Sequence, residues 1–260
     1  MYSAWNRRTY VADGVPADRV AVIPLGVDSA TFRPDVQPNP RVLRGTKKAF
    51  RFLFVGGTIH RKGIDVLLRA WKRAFCREDD VCLVIKDFCR KGSYRGQTNE
   101  DSIRKLAADT DAGEILYMTE DLDRGEIPGL YTACHAFVHP YRGEGFGLPV
   151  AEAMASGLPV IITRGGPCDE FCPPGAGIFV TATRREMTDS QGLVGKGFLL
   201  EPSAEELAAM MRLAVAHPDR MREIGARARE AATTRVTWQA TARAISDRLA
   251  VVLARPRRSG

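Results

Sequence analysis

Two carboxylates eight positions apart, Glu144 and Glu152, lie in the glycine-rich stretch HPYRGEGFGLPVAEAMASGLPV (139–160). Ionised carboxylates are strong hydrogen-bond acceptors, so such a pair suits the hydroxyls of a sugar or ribose. Gly143, Gly145 and Gly147 point to a loop, since each glycine costs about 1 kcal/mol relative to Ala inside a helix. They also remove side chains that would hold a ligand away from the backbone. Pro149 fits a first helical position, where its missing N–H would have no partner anyway. The N–H groups from Gly147 to Val150 then face out of a helix start, where the helix dipole favours an anion such as phosphate. Glu152, read in the first turn of that helix, is also what the dipole alone would select. Glu144 has no helix to stabilise, so a ligand role is the sharper reading for it.

A second cluster, VGGTIHRKG (55–63), supplies the complementary charge. Gly56 and Gly57 close an apolar run, and Arg61 and Lys62 open the next helix. Two cations at a helix start oppose its dipole, a local conflict that an anionic ligand would resolve. Thr163-Arg164-Gly165-Gly166-Pro167 is a third glycine turn. Asp109-Thr-Asp111 and Asp121-Leu-Asp123 have the form of metal-holding acid pairs, but such tripeptides are frequent by chance and neither follows a strand end well. His60, His135, His139 and His217 show no metal-ligand spacing and read as structural or surface residues. No G-x-G-x-x-G follows the first strand, which argues against a nicotinamide dehydrogenase.

Alternating elements must position these loops. Continuous apolar runs at 51–57, 81–87, 115–118, 136–140 and 158–163 read as strands. Helical patterns fall at 64–75, about 99–109, about 127–132 and 149–156 between or after them. Fully apolar strands each followed by a helix indicate an α/β fold with a doubly wound, Rossmann-like parallel sheet. Its ligands bind outside the carboxyl ends of the strands, which puts all three glycine turns on one rim. Ahead of this core, VAVIPLGVD (20–28) reads as a strand, and Pro34, Pro38 and Pro40 with the basic run 41–48 read as a linker. Residues 164–197 read as loop with a short strand near Ile178–Val180, followed by a late strand at 197–202. Ser203 and Glu206 form a capping box for a helix to about Ala216, and Pro218 opens another. The last helix starts near Thr237 and places Trp238, Ala242, Ile245, Leu249 and Val252 on one face. That face, with residues 20–30, is expected to expose apolar surface.

Composition agrees with one soluble core: 45% of residues are hydrophobic and 27% charged, which excludes disorder and collagen. The net charge of +7 is spread, with 22 basic and 18 acidic residues in 1–130 and 16 and 13 in 131–260. An even bias suits a small anionic ligand or an anionic membrane surface, not a nucleic-acid-binding arm. The six cysteines (Cys76, Cys82, Cys89, Cys134, Cys168 and Cys172) form no C-x-x-C pair, so a reducing compartment is expected. No apolar run reaches the ~20 residues that span a bilayer, and the opening MYSAWNRR lacks a signal-peptide core. The expected location is the cytoplasm, free or peripheral on the inner membrane face.

EGFGLPVAE (144–152) matches the E-x7-E motif of retaining GT-B glycosyltransferases of the family 4, or group 1, type. VGGTIHRKG resembles that family's strand–loop–Lys-Gly motif. VIPLGVDSATFRPD (22–35) resembles its interdomain linker, and ARAREAATTRVTWQATA (226–242) is similar to its closing helices. The resemblance implies the C-terminal half of a GT-B fold, moving a hexose from a nucleoside diphosphate sugar such as UDP- or GDP-hexose to an acceptor hydroxyl. By position, Lys62 would neutralise the diphosphate, Glu144 would contact the hexose and Glu152 the ribose. Gly56, Gly57, Arg61, Gly145, Phe146, Gly147 and Leu148 would complete the donor site, with amides of 146–148 meeting the sugar or β-phosphate. Lys62 and Glu144 would be the catalytic pair, with no metal cofactor.

The resemblance further divides the chain. Residues 1–45 correspond to the tail of an N-terminal domain and the linker, 46–236 to the nucleotide-sugar domain, and 237–260 to a crossover helix and basic tail. The expected partners are a nucleotide sugar, an unidentified acceptor, and a separate N-terminal domain chain or a membrane surface. Two departures stand out: many relatives carry Arg where Gly57 stands, and the loop at 86–94 lacks their usual Gly-x-Gly. A non-catalytic module that binds a nucleotide sugar or a partner protein is the alternative.

Overall fold

Apolar runs rich in β-branched and aromatic residues form a six-stranded sheet. Its strands are Phe50–Gly56 (β1), Val81–Asp87 (β2), Glu114–Met118 (β3), Ala136–His139 (β4), Val160–Thr163 (β5) and Ile178–Val180 (β6). The computed structural model describes residues 1–88, 97–187 and 197–254. All pairings in this sheet are parallel, in the order β3-β2-β1-β4-β5-β6. This is the doubly wound order, whose direction reverses between β1 and β4.

Each strand sends alternate side chains to two separate cores. Leu53, Val55, Cys82, Val84 and Phe137 pack with Pro128–Thr132 (α5), Leu148–Ala155 (α6) and the second half of Pro218–Arg235 (α8). Phe52, Phe54, Leu83, Ile85 and Val138 pack with Ile64–Ala74 (α3) and Ala204–Ala216 (α7), while Ile103 of Glu100–Ala107 (α4) adds to that side. The strongly amphipathic α3 buries Ile64, Leu67, Leu68 and Trp71, the stripe its sequence spacing predicts. Trp238–Leu253 (α9) starts where expected, with the Thr237 hydroxyl capping the amide of Ala240 at 3.1 Å. Trp238, Ile245, Leu249 and Val252 are exposed on it. Among the described residues no helix is long and apolar enough to cross a membrane.

The structure corrects several of the sequence expectations and adds a helix they did not include. Residues 20–28 do not form a strand: a single bridge ties Val27 to Thr237, and no strand lies alongside to extend it. Gly26 and Val27 are buried against the start of α9, so only part of this segment is exposed. The proline-rich linker contains a helix, Pro40–Gly45 (α2), because Asn39 caps the Arg41 amide at 2.9 Å and Pro40 preorganises the first turn. The polar opening also forms a helix, Ala4–Ala12 (α1), capped by Ser3. Finally, the region read as loop contains Ala182–Glu186 (β7), antiparallel to Phe198–Pro202 (β8). The capping box is half formed: Ser203 accepts from the Glu206 amide, but the Glu206 carboxylate turns to Thr181. Residues 89–94 of the loop without Gly-x-Gly, and the basic tail from 255, lie outside the described residues.

Candidate functional site

The loops after β1 and β4 meet where the strand order reverses, the position at which open parallel sheets hold ligands. Their contact depends on Gly63. It has φ 72° and a side chain there would collide with the carbonyl of Pro140, the first residue after β4. The close approach sets Lys62 against Glu144, 82 positions along the chain, as a direct ion pair. Lys62 belongs to a short 3₁₀ turn, His60–Lys62, and α3 starts only at Ile64 with Asp65 in its first turn. The cations therefore precede the helix and do not open it, a correction to the sequence reading. Lys62 is paired with Glu144.

Glu144 is almost fully buried. Its Oε1 accepts from Lys62 Nζ and from His139 Nε2 at 2.8 Å, and Arg61 lies 3.9 Å from Oε2. Burial alone would push this carboxyl up, but the hydrogen bond from His139 and the Lys62 charge overcome it and hold the pKa at about 2. His139 is driven the other way by burial, below its ordinary value, so it stays a neutral donor through Nε2. The rings of Phe54, Phe137 and Tyr141 surround it and fix its plane.

Backbone and side-chain bonds lock the two loops together. The Arg142 amide donates to the Arg61 carbonyl at 2.8 Å, and the Arg61 guanidinium donates to the Gly143 carbonyl at 2.7 Å. The buried Arg142 guanidinium is bidentate to Asp65 (2.6 and 2.8 Å) and to Glu201 (2.6 and 2.7 Å), and also donates to the His60 carbonyl at 2.8 Å. Bidentate pairs of this kind are the strong, geometrically specific ones. Burial raises the Asp65 carboxyl, yet its bonds to Arg142 bring it down to about 2.

Gly147 starts α6 with φ 98°, and an added Cβ would meet Cys168 Sγ at 2.5 Å. The helix begins at Leu148, with Pro149 at its second position, so Glu152 is its fifth residue and not in the first turn as expected. The dipole therefore gives no account of Glu152. The Val150 amide is taken by the Gly147 carbonyl at 2.9 Å. Among the described residues the amides of Phe146, Gly147 and Leu148 make no hydrogen bond, which narrows the expected run of open donors. The Phe146 ring stacks on Phe171 at 4.9 Å, while the Gly145 carbonyl accepts from Asn6 of α1 at 2.6 Å. Gly56 ends β1, and Gly57 follows it, buried.

Glu152 stands apart from the charge cluster. Its Oε2 accepts from the buried Tyr131 hydroxyl on α5 at 2.6 Å, and burial raises its carboxyl above the ordinary value. Among the described residues no hydrogen bond or ion pair joins it to Lys62 or Glu144. Of the two acid pairs read as metal-like tripeptides, Asp109 is engaged by Lys72 at 2.6 Å. The sequence reading gave His139 a structural or surface role and did not single out Arg142, though both hold the site. Their signal was position alone, at the end of a strand and just before the acid.

Residues 36–231 match the family described as glycosyl transferases group 1. A D-inositol 3-phosphate glycosyltransferase of Pseudarthrobacter chlorophenolicus is 32% identical over 154 residues, 59% of this chain and 36% of that protein. A GDP-mannose-dependent alpha-(1-6)-phosphatidylinositol monomannoside mannosyltransferase of Mycobacterium tuberculosis is 26% identical over 258 residues, 94% of this chain and 59% of that protein. The chain thus spans between about a third and three fifths of the length of these curated relatives. Among solved structures, sucrose-phosphate synthase of Thermosynechococcus elongatus superposes with TM-score 0.74 at 21% identity, over 98% of this chain and 58% of that one. Anabaena HepE in complex with UDP and glucose gives 0.73 at 20%, over 96% and 61%. These two likenesses concern the fold. Matched over most of its length and carrying the paired loops described above, the chain belongs to the group 1 glycosyl transferases.

Proposed function

We propose that this chain forms the donor-binding half of a retaining glycosyltransferase of the family 4 type, which moves a hexose from a nucleoside diphosphate sugar to an acceptor hydroxyl. One observation carries the reading: Lys62 and Glu144 are paired at the reversal point of the sheet, beside the open amides of Phe146, Gly147 and Leu148. A departing nucleoside diphosphate develops negative charge, and catalysis needs fixed positive charge at that place. Lys62 supplies it, with Arg61 and the start of α6 adding to it, so this reading calls for no metal. A bound diphosphate replaces the Glu144 carboxylate as the partner of Lys62. Glu144, ionised and held by His139, then accepts from the hexose hydroxyls. Among the described residues the bond to Glu152 is made at Oε2 by Tyr131, and Oε1 takes the ribose hydroxyls in this reading.

The names of the relatives support a nucleotide-sugar donor, as does the UDP and glucose in the HepE complex. The intact Lys62–Glu144–His139 set favours transfer over a non-catalytic binding module. The acceptor side comes from an N-terminal domain or a membrane face in this reading, and the enzyme works in the cytoplasm. Titration calorimetry with UDP, GDP and their hexose conjugates tests the donor site. Binding that is lost in Lys62→Ala supports it; no binding at millimolar concentration, or unchanged affinity in that variant, overturns it. Transfer assays with the chain alone and with an N-terminal domain supplied, with the product anomer read by NMR, test retention.

A further inference from the structure

Arg142 stands two positions before Glu144, where a cation could serve as a further ligand for an anionic leaving group. Its bonds exclude that role. The guanidinium makes five hydrogen bonds: two to Asp65, two to Glu201 and one to the His60 carbonyl. A guanidinium has five N–H donors, so none is left for a phosphate. Its charge is matched as well. Arg69 lies on the outer side of the same two carboxylates, 2.9 Å from Asp65 and 3.8 Å from Glu201, which closes a neutral ring of two cations and two acids. Arg142 is 3% exposed in this ring and Arg69 56%.

Stability alone is a weak reason for such a ring, because well-packed apolar side chains often replace buried ion pairs at no loss. Its geometry supplies a better one. Arg142 grips the turn of Lys62 twice, by its amide at the Arg61 carbonyl and by its side chain at the His60 carbonyl. Asp65 adds the first turn of α3 to the same guanidinium. On the other side β8 is joined twice: Glu201 takes the guanidinium, and the Leu200 amide donates to the Arg142 carbonyl at 2.9 Å. One side chain thus fixes three separate segments against the loop of Glu144, and the fork of an arginine fits those directions where the single ammonium of a lysine does not.

We infer that Arg142 is a positioning residue of the donor site, which sets Lys62 against Glu144 without touching the ligand and makes Glu201 of β8 part of the frame. Its effect on nucleotide binding rests on the donor reading; its effect on Glu144 does not. The test compares Arg142→Lys, Glu201→Gln and Arg69→Gln with the unaltered chain. Calorimetry reads UDP and GDP affinity, carbon-detected NMR reads the Glu144 titration, and melting reads stability. Arg142→Lys keeps the charge and loses the fork; it should weaken the preferred diphosphate at least tenfold and move the Glu144 carboxyl upward. Glu201→Gln should do the same to a smaller extent, at least threefold. Arg69→Gln loosens the ring only from outside, so affinity should stay within twofold and the Glu144 titration should not move, even where melting temperature falls. Folded Arg142→Lys with unaltered affinity and Glu144 titration overturns the inference, and so does Arg69→Gln with effects equal to those of Arg142→Lys. Should Arg142→Lys fail to fold, Glu201→Gln is the deciding variant: an unchanged Glu144 titration and affinity there overturn the inference. An unaltered chain that binds neither nucleotide overturns the donor reading instead, and the Glu144 titration then decides on Arg142 by itself.

Discussion

The two ends of the segment 144–152 carry the same residue in opposite environments. Glu144 is buried among donors, next to Lys62 and His139, and its carboxyl is held at about 2. Glu152 is half-buried against α5, where among the described residues one tyrosine hydroxyl bonds to it, and its carboxyl is raised. Burial acts on both in the same direction, so the difference comes entirely from what the rest of the fold places beside each. A pair that is symmetrical as a motif is thus divided: one acid is a fixed charge, the other a proton-sensitive acceptor.

Removing Lys62 should break this contrast most sharply. Lys62→Met leaves Glu144 buried without its cation, a loss of about 3–5 kcal/mol for a broken buried pair. A fall in melting temperature of roughly 10 °C is expected for a chain of this size. Nucleoside diphosphate affinity should fall on the order of 100-fold, about 3 kcal/mol. Adding Glu144→Gln should restore most of the melting temperature and none of the affinity. Equal melting of the single and double variants would show that the pair is not what holds the loops.

The pH dependence of stability separates the two acids next. Glu144 has a depressed pKa, so its contribution is present above its ordinary value near 4.5 and lost as pH falls towards about 2. Glu152 has a raised pKa, so its contribution is present below 4.5 and lost as pH rises through the raised value. Denaturation of Glu144→Gln and Glu152→Gln across pH 2–7 should therefore remove slopes of opposite sign. Slopes of the same sign would undo the division.

His139→Phe sharpens the comparison by making Glu144 more like Glu152. It keeps an aromatic ring among Phe54, Phe137 and Tyr141 but deletes the donor, with an expected loss of about 1.5–3 kcal/mol. The Glu144 carboxyl should move up, readable by carbon-detected NMR titration. The smallest effect belongs to Tyr131→Phe, about 1 kcal/mol by chemical denaturation. The Glu152 carboxyl should rise further with it, and the Glu144 titration should not change.

Much of the sheet was legible because its strands are continuous apolar runs separated by helical stripes, as in 51–56, 81–87 and the face of α3. The loops carrying Lys62 and Glu144 were legible because glycines and charges interrupt those runs at strand ends. The helices at 4–12 and 40–45 were hidden, since short polar or proline-bearing segments form helices through caps at Ser3 and Asn39 and not through periodicity. The pairing of β7 with β8 was hidden for a related reason. An exposed strand such as Ala182–Glu186 has no apolar run to mark it, and its partner lies across a connection of more than ten residues.

The sequence by itself determined the α/β class, the strand ends at which a ligand can approach backbone, and the residue types available there, because periodicity and glycine spacing are local properties. Only the tertiary structure decided that Lys62 rests on Glu144, that His139 donates to it, and that Glu152 faces Tyr131 instead. Charge state and partnership depend on burial and on neighbours up to 82 positions away. They exist only once the chain has closed.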